Sequence, residues 1–330
     1  DGLRIATFNL KNLFDTEDDP LTQDTVLSIT EYERRLRKRA LAIQDILNAP
    51  DLIAVQEVEN TSVLADLTAR PELLTGYEYV LVEGPDLRGI DNAILYRPER
   101  VRLLSYETRQ GCTVLIDGLG PDGNGDPVNP VNILTCDQDK DGILDGNRLF
   151  SRPPLVAQFQ ILDYPQPGAI WLIANHWKSK SEDTTSTAYT LPRRIEQAHF
   201  VAEIVADIKG YDPEANIVVL GDLNDTLASA PLAELAEIGL INLWERTPLD
   251  QRYTYIYQGY SQPLDHILLA GPWLARMRDG IPWVGRINAD YPARYASLVN
   301  TPSGSSDHDP LMVRFNFFMY ESYLPLITLP

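Results

Sequence analysis

At 330 residues, with 44% hydrophobic and 23% charged side chains, the chain is long enough for a sizeable core and too apolar for overall disorder. Its formal charge of −19 excludes a protein that holds polyanions by bulk electrostatics, so any nucleic-acid contact must be local, through metal ions and a few Arg or Lys side chains. No stretch approaches the ~20 apolar residues of a membrane-spanning helix.

A strand is predicted at 3–8, then a helix at 31–48, where Thr30 and Glu33 form a capping-box pattern and Leu36, Ala40, Ile43 and Leu47 recur at helical spacing. A strand follows at 52–56 and several more through 78–107. An insert at 111–150, rich in Gly, Asp, Asn and Pro, precedes strands at 154–162 and 169–175, a helix at 191–207, and strands at 216–221, 264–269 and 311–318. This alternation predicts a layered α/β domain over 1–318, with 319–330 as a C-terminal linker or docking tail.

The insert carries two local constraints. Cys112 and Cys136, the only cysteines, bracket its Gly/Pro/Asp-rich stretch, which suits a loop-closing disulfide in an oxidising, extracellular setting; two buried thiols are the alternative. Asp137, Asp139, Asp141 and Asp145 stand at positions 1, 3, 5 and 9 of a turn with Gly142 at 6 and the Ile143 carbonyl at 7, a spacing that curls oxygens round a structural Ca²⁺. Position 12 is Arg148 rather than Glu, so this is no complete EF-hand loop but is similar to the short Asp-rich calcium repeats of extracellular proteins. The alternative is a solvated turn. The 121–126 segment either adds ligands or only turns.

Six segments end apolar runs in polar, metal-competent residues: Thr7-Phe8-Asn9, Val55-Gln56-Glu57, Ala174-Asn175-His176, Leu220-Gly221-Asp222-Leu223-Asn224, Leu264-Asp265-His266 and Ser306-Asp307-His308-Asp309-Pro310. Strands that each deliver a carboxylate, amide or imidazole at their C-terminal ends are what a sheet-edge active site requires. His266 follows Asp265 on a strand and so points to the opposite face. His199 reads as a half-buried structural imidazole, and Trp177 as core.

In this order the motifs resemble those of the endonuclease/exonuclease/phosphatase superfamily over about residues 3–318. The resemblance implies a four-layer α/β sandwich, two central mixed β-sheets flanked by helices, with the active site at one end of the sheets. It further implies a Mg²⁺- or Mn²⁺-dependent phosphodiester hydrolase, with Glu57, Asn9 and Asp307 as metal residues. Asp265 and His308 form the expected dyad, and Asp222 and Asn224 would orient the water and grip a phosphoryl oxygen. Whether His308 or Asp222 removes the proton stays open. His176 is the expected electrophilic stabiliser, held by a carboxylate for which Asp91 is the candidate. Arg152, in Phe150-Ser151-Arg152-Pro153-Pro154, is similar to a phosphate-contacting residue, and Lys178, Lys180 and Arg194 would hold flanking phosphates. The segments at 56–60, 175–180 and 193–198 look like those of bacterial extracellular nucleases, which implies nucleic acid as substrate, secretion, and no obligatory protein partner. A phosphatase or a phospholipase or sphingomyelinase-type phosphodiesterase is the alternative. No exposed aromatic-aliphatic hairpin stands out, which weighs against a lipid substrate. A non-catalytic, calcium-stabilised binding module is the other reading.

Overall fold

The structure, a computed structural model, describes residues 2–113, 134–137, 139–162, 168–276 and 281–315. The predicted tail at 319–330, the end of the last predicted strand at 316–318 and the 121–126 segment lie outside the described residues.

The strands are β1 (Leu3–Leu13), β2 (Leu52–Val58), β3 (Glu78–Leu81), β4 (Asp91–Tyr96), β5 (Val101–Thr108), β6 (Cys112–Thr113), β7 (Asn147–Arg148) and β8 (Leu155–Ile161). They continue with β9 (Gly168–His176), β10 (Asn216–Asp222), β11 (Ile241–Asn242), β12 (Tyr255–Tyr257), β13 (Tyr260–Gln262), β14 (Asp265–Ala270), β15 (Trp283–Val284) and β16 (Leu311–Phe315). The helices are α1 (Ile29–Leu41), α2 (Thr61–Thr68), α3 (Leu191–Tyr211) and α4 (Ala230–Glu237).

Two six-stranded mixed sheets form the centre, in the orders β15-β16-β1-β2-β4-β3 and β11-β14-β10-β9-β8-β5. Each contains one parallel pair, β1 with β2 and β10 with β9, flanked on both sides by antiparallel neighbours. Alternation of side chains sorts the core into three apolar layers. Inward residues such as Ile5, Ala54, Ile94, Leu172, Leu220 and Ile267 pack between the sheets. Outward residues of the first sheet, Phe8 and Val55 among them, bury the apolar faces of α1 and α2. Ile173 and Val219 of the second sheet do the same for α3 and α4. Helix, sheet, sheet and helix are thus the four layers expected.

Helix α1 starts earlier than the capping-box reading of Thr30. Ser28 is the cap, its hydroxyl accepting from the Glu31 amide at 3.3 Å, because Ser28 and Glu31 offer the same three-residue spacing two positions upstream. Beyond Leu41 the helix widens into a π-turn over Ala42–Ile46. The short helices α2 and α4 were not legible in the sequence. Eight residues give too few repeats for periodicity, although Asn60, whose side chain accepts from Val63 N at 2.9 Å, is a cap signal.

At the base of the insert, β6 pairs with β7 and Cys136 bridges Gly146. The Cys112–Cys136 disulfide is formed, as the bracketing of the loop suggests. Carboxylate oxygens of Asp137, Asp139 and Asp141 lie within 4.8 Å of one another, and Asp145 is not part of that cluster.

Candidate active site

The site follows from strand direction. Parallel β1 and β2, like β9 and β10, end at the same edge, so Asn9, Glu57, His176 and Asp222 arrive together from distant parts of the chain. The antiparallel strands contribute their beginnings instead. Asp265 opens β14 and Asp307 and His308 precede β16, so the expectation that every motif closes a strand is corrected for these residues; Asp91 opens β4.

Register makes two facing rungs. In the second sheet His176, Asp222 and Asp265 sit side by side on β9, β10 and β14. In the first, Asn9, Gln56 and Asn92 sit side by side on β1, β2 and β4. Both rungs point into the space between the sheets, where β1 packs against β10 and β14 and β4 against β9. Asn9 spans the gap, its Nδ2 donating to Asp222 Oδ2 and to Glu57 Oε1 at 3.1 Å each.

Glu57 breaks the alternation. The register shifts around it on both sides and its φ is +62°, a left-handed conformation that costs a non-glycine residue roughly 1–3 kcal/mol. The bulge turns its carboxylate from the helix layer to the cleft, where Oε2 accepts from Asn12 N at 2.8 Å. Gly221 solves a similar problem on β10, since a Cβ there would stand 2.0 Å from the Asn175 carbonyl oxygen. Asn224, at φ +50°, donates its amide N–H to Asp222 Oδ1 at 3.0 Å and its Nδ2 to the Trp177 carbonyl at 3.1 Å.

The expected dyad is present. His308 Nδ1 donates to Asp265 Oδ2 at 2.7 Å, which leaves Nε2 facing Asp222 Oδ2 at 3.8 Å. Thr254 donates to the same Asp265 oxygen at 2.5 Å, and the Tyr255 ring lies 4.7 Å from the imidazole. Burial alone would lower the His308 pKa, but the Asp265 and Asp222 carboxylates outweigh it and hold it well above the usual value. Burial pushes the Asp222 carboxyl up to about 7, Asp265 and Glu57 adding to the shift while His308 opposes it. His176 is driven the other way by burial, with Arg152, Arg88 and His308 adding to the effect, and is a neutral imidazole. Its Nε2 lies 3.7 Å from Asp222 Oδ2 and 3.8 Å from Glu57 Oε1.

Several expected roles are corrected. Asp91 does not hold His176; its Oδ1 accepts from Gly84 N at 2.9 Å, and His176 Nδ1 is buried without a hydrogen-bond partner among the described residues. The reason is parity, since Asn92 rather than Asp91 occupies the inward position on β4. Asn9 Nδ2 donates to Glu57 and Asp222 and its oxygen accepts from Lys11 N at 2.9 Å, so it braces the two carboxylates. Arg152 is a structural cation, only 5% exposed, paired with Asp86 and donating to Trp177 O. Arg194, 1% exposed, pairs with Asp225 at 2.8 Å and Asp183 at 3.4 Å. Lys178 and Lys180 pair with Glu182 and Asp225 at 2.5 and 3.0 Å. His199 is exposed and faces Glu234, whereas His266 is buried on the opposite face against Asn242 and the Asp225 carbonyl. Trp177 is core.

Sequence reasoning missed three neighbours of the site. Lys11 pairs with Asp307 at 3.1 Å, and the fully buried Arg39, which donates to the Leu10 carbonyl, feels the Asp307 and Glu57 charges. The β12–β13 hairpin carries Tyr255 to His308. None belongs to a motif, and only the run of tyrosines at 253–260 marks the hairpin in the sequence.

Two sheets backed by helices, with a carboxylate–imidazole dyad and oxygen ligands at one edge, define the class of metal-assisted phosphoesterases. The family model described as endonuclease/exonuclease/phosphatase matches residues 4–114 and 166–316, and the chain belongs to that family. Its members are metal-dependent phosphoesterases and nucleases. Among solved structures, D. rerio TDP2 is 18% identical with a TM-score of 0.54, covering 95% of this chain and 98% of that one. The human Nocturnin catalytic domain is 16% identical (TM-score 0.55, 96% and 95% covered). An endonuclease/exonuclease/phosphatase from Bacteroides vulgatus is 18% identical (TM-score 0.57, 96% and 99% covered). No curated protein matches the sequence.

Proposed function

We propose that the protein is an extracellular, Mg²⁺- or Mn²⁺-dependent phosphodiesterase that hydrolyses nucleic acid by in-line attack of an activated water. The observation that carries this reading is the Asp265–His308 dyad directed at Asp222 across 3.8 Å. Asp222, with a carboxyl poised at about 7, suits a general base that takes the water proton at neutral pH. His308, kept cationic by two carboxylates, donates Nε2–H to a phosphoryl oxygen. Asn224 orients Asp222 through its backbone amide. The D. rerio TDP2 structure holds a single-strand DNA product, which supports nucleic acid as the substrate class here.

The donors at the sheet edge fit a hard divalent ion. Glu57 and Asp307 are carboxylates, and Asp307 already carries a cation, the Lys11 ammonium. When bound by these residues, the ion would neutralise phosphoryl oxygens and assist the leaving alkoxide. Glu57→Gln removes charge but little volume, so it should shift metal activation to about tenfold higher Mg²⁺ or Mn²⁺. Superimposable metal titrations of variant and wild type would remove Glu57 from the ligand set.

The Cys112–Cys136 disulfide supports an oxidising compartment, and the Asp137, Asp139 and Asp141 cluster supports structural Ca²⁺. Calcium at about 100 times its dissociation constant would stabilise the fold by roughly 2.7 kcal/mol. Exchanging Ca²⁺ for Mg²⁺ should therefore lower the melting temperature of wild type and leave Asp139→Ala and Asp141→Ala unmoved. Equal melting temperatures for all three, with and without Ca²⁺, would make the segment a solvated turn.

The substrate class is tested by incubating the protein with plasmid DNA, RNA, sphingomyelin vesicles and methyl p-nitrophenyl phosphate, with Mg²⁺, Mn²⁺ or chelator. Metal-dependent cleavage of nucleic acid is expected. Turnover of sphingomyelin alone would transfer the site to the lipid alternative, and no turnover of any substrate would leave a binding module.

A further inference from the structure

We propose that the β12–β13 hairpin is a base-stacking platform, on which Tyr257 and Tyr260 take the nucleobases of a single-stranded nucleic acid beside the scissile phosphate. The inference rests on the phosphodiesterase reading and specifies its substrate.

The hairpin turns through Gln258 and Gly259, both with positive φ (+50° and +84°), the signature of a type I′ turn whose twist matches the strands it joins. Tyr255 pairs with Gln262 and Tyr257 with Tyr260. Directly paired residues share a face, as do residues two apart, so Tyr255, Tyr257 and Tyr260 form one aromatic stripe while Ile256 and Ser261 face the other way. The stripe begins at the reacting centre, with the Tyr255 ring 4.7 Å from that of His308. It then moves outward by about 6–7 Å for each two-residue step. Exposure rises along it, to 55% at Tyr257 and 74% at Tyr260.

Its base is fixed to the dyad. Thr254 donates its hydroxyl to Asp265 at 2.5 Å and its amide to Gln262 O at 3.0 Å, and its carbonyl accepts from Asp309 N at 2.8 Å. Rings anchored in this way lose little freedom when a base stacks on them.

Charge decides the occupant. The chain is at −19, and Arg152, Lys178, Lys180 and Arg194 are all engaged by carboxylates, so long-range attraction to phosphates is weak. Affinity for a polyanion must then come from uncharged contacts, which aromatic stacking provides without regard to sequence. The same negative charge opposes an anionic membrane, and the stripe has hydroxyl-tipped rings with Gln262 beside them rather than aliphatic side chains.

The test compares wild type with Tyr257→Ala, Tyr260→Ala, the double variant and Tyr257→Phe/Tyr260→Phe. Steady-state kinetics are read on a single-stranded DNA oligonucleotide and on methyl p-nitrophenyl phosphate, and equilibrium binding of a fluorescent oligothymidylate is read in chelator. The double alanine variant should raise the oligonucleotide KM by about 10- to 100-fold more than the KM for the small diester. Oligothymidylate binding should weaken by a similar factor, with little dependence on salt, and the phenylalanine variant should restore it. Unchanged oligonucleotide binding in the double alanine variant overturns the proposal whatever the enzyme hydrolyses. So does an equal loss on both substrates, or a loss confined to sphingomyelin vesicles. Failure to hydrolyse any phosphodiester overturns the proposed function instead, and the binding measurement still decides whether the hairpin holds bases.

Discussion

Replacing His308 by Ala, or Asp222 by Asn, is expected to reduce kcat on a phosphodiester by about 10²-fold or more, the size of a general acid–base contribution. The two side chains face each other at 3.8 Å and are held from behind by Asp265, which accepts from His308 Nδ1 at 2.7 Å, and by Asn224 N, which donates to Asp222 at 3.0 Å. Asp222→Asn keeps the shape of the carboxylate but only one acceptor oxygen for its two donors, Asn9 Nδ2 and Asn224 N, so it removes the base with little change of packing at the loss of one hydrogen bond. His308 lies at the edge of the sheets rather than in an apolar layer, so its truncation leaves the three cores intact. The measurement is turnover at saturating substrate and metal, together with the melting temperature of each variant. A near-wild-type rate in either variant would remove that residue from the reaction.

A large stability effect is expected at Asp91. Burial raises its pKa to about 7, with Asp86 and Glu83 adding to the shift and the Gly84 amide and Arg152 opposing it. A carboxyl whose folded pKa lies above its unfolded value of ~3.9 favours the fold at low pH and loses that contribution as pH rises through about 7. Three units correspond to about 4 kcal/mol as an upper figure. Asp91→Asn keeps an acceptor for Gly84 N and cannot ionise. It should be more stable than wild type at pH 8 by up to that amount, with the difference vanishing towards pH 4. Denaturant unfolding at pH 4, 6 and 8 reads this directly, and a pH-independent difference would contradict it. Activity should stay close to wild type, because Asp91 does not touch His176; a hundredfold loss would reinstate it as the imidazole's partner.

The layered fold was legible because its determinants are local. Apolar runs such as 169–175 and 216–221 are short, bounded by turn residues and separated by the long periodic helix that became α3. The chemical character of the site was legible for a related reason: Asn9, Glu57, His176 and Asp222 lie in the C-terminal parts of strand-like runs, and Asp265 and His308 stand at or just before the start of one. Asp265 and His308 were expected as a pair, and they meet at 2.7 Å. The disulfide, too, followed from two cysteines bracketing a loop that cannot order itself by apolar burial.

What the sequence did not decide is which way side chains point and what they meet. Arg152, Lys178, Lys180 and Arg194 have the composition of a phosphate-binding set, yet each is taken by a carboxylate, Lys178 by Glu182 of its own loop and the others by Asp86 or Asp225 from other segments. A one-residue change of parity on β4 separates Asp91 from the inward Asn92 and so from His176. Only the bulge at Glu57 brings its carboxylate into the cleft, against the alternation its neighbours obey. The tyrosine stripe exists only because a type I′ turn puts Tyr257 and Tyr260 on one face with Tyr255, whose ring lies beside His308. Residue type and spacing determine which elements form and what chemistry they carry. Ion pairing, strand parity and register are relations between segments far apart in the chain, and they are settled only when the two sheets pack face to face.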